Sequence, residues 1–175
     1  MKNNAAKTNI VLIGMPGAGK STIGVVLAKV LAMDFVDSDL VIQKEEGRRL
    51  SEIIEEEGPR GFLRIEERVN ASLECTNCVI ATGGSAVYGG RAMEHLRRSG
   101  AVIYLRLSYP SLEGRLHNLK GRGVVMNPGQ TLRGIYDERI VLYEKYADIT
   151  VDADGLSVEE TLQKTLEAVE GLYKA

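Results

Sequence analysis

Short unbroken apolar runs alternate along the chain with stretches whose apolar residues recur every three or four positions. The runs read as strands of about 9–14, 34–37, 78–82, 101–107 and 148–152. Between the first two, Ile23, Val26, Leu27, Val30 and Leu31 share one helical face, which predicts a helix over Ser21–Leu31. From Leu40 to Glu74 the pattern is helical and charged, broken by Gly47 and Gly58, with Pro59 at a helix start. Strands alternating with helices predict a parallel sheet wound with helices. Lys120-Gly121-Arg122-Gly123 and Asn127-Pro128-Gly129 crowd breakers and cations into one loop, a candidate lid over about 117–132. No repeat or linker divides the 175 residues, so a single domain, 1–175, is expected.

Directly after Ile10-Val11-Leu12-Ile13 the chain reads Gly14-Met15-Pro16-Gly17-Ala18-Gly19-Lys20-Ser21-Thr22, the spacing G-x-x-x-x-G-K-S between a strand and a helix. Glycines there let successive backbone N–H groups turn toward the β- and γ-phosphates of a nucleotide, and Lys20 adds a point charge. The Ser21 hydroxyl can ligate Mg²⁺, and the helix beginning near Lys20 aims its positive end at the same anions. Strand, loop, lysine and helix coincide, so ATP is the expected co-substrate.

Composition narrows the partners. A net charge of −2 and 44% hydrophobic content give no basic field for nucleic acid or an anionic membrane, which leaves small anionic metabolites. The first seven residues lead into the first strand without the apolar core of a signal peptide, and the apolar runs are strand-sized, so a cytoplasmic location is expected; a monomer is a separate expectation. Cys75 and Cys78 form a lone C-x-x-C, and with His95 and His117 the only histidines no second ligand pair completes a zinc site. The pair reads as small apolar packing where a helix end runs into a buried strand.

Further chemistry gathers at the predicted strand ends. Asp37 and Asp39 close the second strand, and residues two apart on a strand point the same way. In a wound parallel sheet the strand C-termini open on one edge, so both carboxylates are expected to face the nucleotide, Asp37 holding Mg²⁺ and Asp39 accepting the proton of an attacking hydroxyl. The alternative is that Asp37 and Ser38 cap the next helix. After the third strand, Gly83-Gly84-Ser85 can let an acceptor approach backbone N–H groups. Asp148 and Asp152 flank the last strand as strand-end residues.

These residues resemble the shikimate kinase family, which phosphorylates a ring hydroxyl of shikimate with ATP and Mg²⁺ in aromatic amino-acid biosynthesis. The resemblance runs nearly end to end: Gly14–Thr22 matches the P-loop, Asp37-Ser38-Asp39 the paired aspartates, Gly58 with Phe62 and Glu66 the acceptor-site helix, and Gly83-Gly84 most of a glycine triplet. It implies a lid arginine at Arg122, an adenine-stacking arginine at Arg115, a carboxylate-binding arginine at Arg139 and an adenine loop at 151–154 that includes Asp152. It implies a P-loop kinase fold with a five-stranded parallel sheet in the order 2-3-1-4-5, a helical acceptor-binding region over about 38–75 and a mobile lid.

The departures concentrate on the acceptor side. Leu63 stands where the family has an arginine for the substrate carboxylate, Ser85 where it has a third glycine, and Gly123-Val124-Val125 where proline and leucines follow the lid arginine. Arg64 points about 100° away from position 63 on a helix, whereas Arg60, three residues earlier, shares its face. Two acceptors stay open: shikimate, with Arg60 or Arg64 recovering the contact, or another small alcohol such as homoserine, whose ammonium does not favour a second arginine. A nucleotide-binding module without turnover is a third reading, against which the Asp37, Asp39 and Lys20 set argues.

Overall fold

The computed structural model describes residues 8–117 and 125–174. Five strands, β1 (Asn9–Ile13), β2 (Asp34–Asp37), β3 (Cys78–Ala81), β4 (Gly100–Arg106) and β5 (Ile149–Asp152), pair in parallel in the order β2-β3-β1-β4-β5. Among the described residues seven α-helices surround the sheet: α1 (Lys20–Leu31), α2 (Ser38–Glu46), α3 (Leu50–Ala71), α4 (Gly90–Ser99), α5 (Tyr109–His117), α6 (Leu132–Tyr146) and α7 (Val158–Lys174). A short 3-10 turn, Ala86–Tyr88, follows β3. None of the helices is long and apolar enough to cross a membrane among the described residues.

β1 lies at the centre, with Val11 in register between Ile80 of β3 and Val102 of β4. All five of its residues are buried, which explains why its sequence shows no alternation. Ile10 and Leu12 face one layer, where they meet Leu27 of α1 and Val169 of α7. Val11 and Ile13 face the other, with Met93 and Leu96 of α4 and Ile135 and Tyr143 of α6. A third cluster, Ile42, Ile53, Phe62 and Val69, joins α2 to α3 and braces the helical region beside β2.

Two local expectations are corrected. The second strand ends at Asp37, as its apolar run indicated, but Asp39 is not on it and belongs to the first turn of α2. The Asp37 carboxylate accepts the Asp39 N–H at 3.0 Å, an N-cap that turns the chain helical two residues earlier than its polarity suggested. Helix α3 ends at Ala71, before Cys75, because Asn9 stitches the following segment to β3: its amide donates to the Cys75 carbonyl at 2.8 Å and accepts the Cys78 N–H at 3.0 Å. The breaks read at Gly47 and Gly58 are present: Gly47 ends α2, and α3 bends at Gly58, whose φ of 69° is positive ahead of Pro59. The cysteines are free; Cys78 is buried, and burial pushes the half-buried Cys75 thiol up to about 12, which suits packing rather than redox chemistry.

Candidate active site

The C-terminal ends of β1, β2 and β3 open onto a cleft of about 570 Å³. Its first wall is the loop between β1 and α1. Gly14 has a φ of +145°, and a Cβ there would stand 2.7 Å from the Leu105 carbonyl oxygen, so only glycine fits the turn out of β1. Lys20 is 7% exposed, and its ammonium donates to the Gly14 and Met15 carbonyls at 2.7 and 2.9 Å. Burial draws its pKa down to about 8, against an opposing pull from Asp39. Gly17, Gly19, Lys20 and Ser21 line the cleft; Ala18 is buried beneath it, and Thr22 is exposed on α1 outside it.

The second wall begins at Asp37. Its carboxylate caps α2 through one oxygen and accepts the Ser21 hydroxyl through the other at 2.7 Å, so one side chain ties the start of α2 to the phosphate loop. Asp39 lines the same cleft from the first turn of α2. Opposite stand Glu66 of α3, Gly83 to Ser85 after β3, and Arg139 of α6.

Gly83 sets the distances here. A Cβ on it would lie 2.4 Å from Glu66 Oε1 and 2.8 Å from Asp39 Oδ1, so its missing side chain admits both carboxyl groups. Glu66 is 1% exposed; its Oε2 accepts the Ser85 hydroxyl at 2.6 Å, and its Oε1 has no hydrogen-bond partner among the described residues. Burial raises its pKa to about 7, with Asp39 adding to the rise and Ser85 opposing it. Ser85 is therefore a support for Glu66, a role the sequence pattern of a glycine triplet gave no hint of. Arg139 is 1% exposed, donates to the Val125 carbonyl at 3.0 Å and the Tyr88 hydroxyl at 3.4 Å, and stacks over the Tyr88 ring.

Other expected site residues are distributed differently. Arg115 reaches the phosphate loop, its guanidinium 3.4 Å from the Gly17 carbonyl. Asp152 is held by Arg106 at 2.8 Å at the exit of β5 and does not line the cleft. Leu63 is half-buried and Arg60 and Arg64 are exposed on α3; none of the three lines the cleft, so the expectation that one of these arginines reaches the acceptor is not met. The bend at Gly58 presents Phe62 and Glu66 to the cleft instead. Arg122 lies outside the described residues. Sequence reasoning missed Gln43, Arg49, Leu50, Ser51 and Ile54, which line the cleft from the corner between α2 and α3. An arginine at a helix N-cap was the available signal.

A phosphate loop at the end of the central strand, an aspartate pair at the end of its second neighbour, and this sheet order define a P-loop kinase fold. Comparison with known proteins narrows the class. A family model for shikimate kinase matches residues 16–170. The chain is 43% identical over 155 residues to a shikimate kinase of Thiobacillus denitrificans, covering 87% of this chain and 85% of that protein. It is 39% identical over 173 residues to a shikimate kinase of Pasteurella multocida, covering 97% and 99%. A solved shikimate kinase from Acinetobacter baumannii, in complex with shikimate, superposes with a TM-score of 0.83 at 32% identity, covering 94% of this chain and 93% of that one. The chain belongs to the shikimate kinase family.

Proposed function

We propose that this protein transfers the γ-phosphoryl group of ATP to a hydroxyl of shikimate. The observation that carries the reading is the pairing, across one cleft, of a buried phosphate-loop lysine with a wall of Asp39, Glu66 and Arg139. Phosphates bind at Lys20 and the amides of Gly17 to Ser21, and the acceptor sits between that loop and Asp39. Transfer is in line, so positioning and charge neutralisation supply most of the acceleration. Asp39 accepts the proton of the attacking hydroxyl or aligns it, and Arg139 binds the acceptor carboxylate. Arg122 comes with the lid to balance charge on the transferring group. The relatives favour shikimate over homoserine as the acceptor.

The donor set suits a hard cation. Ser21 Oγ and Asp37 Oδ2 lie 2.7 Å apart facing the phosphate loop, and among the described residues no group of three His, Cys, Asp or Glu side chains could hold a metal ion alone. That matches Mg²⁺, which takes few protein ligands and completes its shell with phosphate oxygens and water. Ser21 and Asp37 hold it, and it neutralises phosphate charge.

The test is ADP release with MgATP and either shikimate or homoserine. Turnover with shikimate is expected. Turnover with homoserine alone, or equal ADP release with no acceptor, would overturn the reading.

A further inference from the structure

Shikimate is a carboxylic acid, and the cleft offers three cations among the described residues to hold it: Lys20, Arg49 and Arg139. Lys20 is turned onto the carbonyls of the phosphate loop. Arg139 already gives its Nε and Nη2 to Tyr88 and Val125. Arg60 and Arg64 do not line the cleft. A two-handed grip on the acceptor carboxylate therefore calls on Arg49.

Arg49 occupies the N-cap of α3, with φ −71° and ψ 153°. That position favours Ser, Thr, Asp or Asn, whose side-chain oxygen accepts from the free N–H groups of the first turn, and a guanidinium carries only donors. The corner does not depend on the side chain. The Arg49 N–H donates to the Glu52 carboxylate at 2.7 Å, and the Leu50 N–H donates to the Gln43 amide oxygen at 3.2 Å. Its neighbour Arg48 is spent on Glu46, Glu56 and Glu57, while no carboxylate ion-pairs with Arg49 among the described residues. A residue that breaks a local rule with no local return, at the edge of a cleft, points to a role in that cleft.

We propose that Arg49 is a specificity-determining residue whose guanidinium supplies the second cationic contact, beside Arg139, to the carboxylate of the acceptor. The proposal rests on the shikimate kinase reading and adds to it the anchor for the acid group. Arg49 is exposed, so the contact forms at the cleft rim and is worth about five- to tenfold in KM.

The experiment compares the wild type with Arg49→Ser and Arg49→Lys, using shikimate and its neutral carboxamide as acceptors. Serine restores a favoured N-cap, so Arg49→Ser melts no lower than the wild type and isolates the loss of charge. KM for shikimate rises about five- to tenfold in Arg49→Ser with KM for ATP unchanged, Arg49→Lys recovers part of the loss, and the preference for acid over amide shrinks by the same factor. An unchanged KM for shikimate overturns the proposal. So does an equal rise for acid and amide, which would assign Arg49 to shaping the cleft. Wild-type protein that turns over no shikimate overturns the functional reading as well, and so is distinct from failure of this proposal alone.

Discussion

Glu66 and Lys20 are the two buried charges whose ionisation the cleft has reset, in opposite senses. Burial lifts the Glu66 carboxyl from 4.5 to about 7, so the folded protein keeps a proton that the unfolded chain releases. Stability falls as pH rises from about 4.5 to about 7 and levels off above, by an amount on the order of 3 kcal/mol. Glu66→Gln removes that slope in pH-dependent melting; a slope that persists would assign it to other groups. Ionised Glu66 adds negative charge beside Asp39, against Arg139 and Lys20, in a cleft that receives an anionic acceptor. KM for shikimate is therefore expected to rise above about pH 7 in the wild type and to stay flat in Glu66→Gln. For Lys20 the sign is reversed. Its pKa of about 8 in the unliganded protein is lifted by bound phosphates, so ATP binding takes up protons above about pH 8. Calorimetry in buffers of different ionisation enthalpy reads that uptake directly, and Lys20→Ala loses it together with turnover.

Among the elements, α3 is the one whose internal geometry decides the site. Its two halves meet at Gly58, and the bend aims the second half so that Phe62 and Glu66 face the cleft while Arg60 and Arg64 face solvent. Among the described residues no atom beyond its chain neighbours and local helix backbone lies within 4 Å of a Cβ built on Gly58, so Gly58→Ala costs chiefly the positive-φ backbone (φ 69°, ψ 173°), about 1–3 kcal/mol. A lower melting temperature with KM for shikimate raised more than KM for ATP is the expected outcome. A loss of stability with both KM values intact would make the bend a fold requirement alone. α2 depends on a different device: one aspartate, Asp37, both caps it and holds Ser21, tying the acceptor-side helices to the phosphate loop. Helical periodicity located α2 and α3 but could not say which face of each looks at the sheet edge, because that is fixed by the α2–α3 cluster of Ile42, Ile53, Phe62 and Val69.

At the scale of the molecule, the lid expected over about 117–132 carries Arg122, which lies outside the described residues. Arg122→Ala is expected to lower kcat at least about a hundredfold and leave the melting temperature unchanged, since it removes charge at the transferring group. An unchanged kcat would assign Arg122 to solvent. The alternation of buried runs and helical faces was enough to predict five parallel strands and their order through the family resemblance, because a strand buried on both sides must be apolar throughout. The phosphate loop was legible for a similar reason: Gly14 to Ser21 are neighbours in the chain, and their spacing alone fixes the turn and the helix start. The acceptor wall was legible mainly through the family resemblance, which pointed to Glu66, Gly83-Gly84 and Arg139 but not to Arg49. Arg49 and Glu66 come from the two halves of α3, Ser85 from the segment after β3 and Arg139 from α6, and their meeting depends on a bend at Gly58 and an absent side chain at Gly83. Even the Asp37 and Asp39 pair reached the cleft by a cap rather than by strand alternation. Local spacing determines contacts within a turn or two of chain, and only packing of distant elements decides which charges face one another.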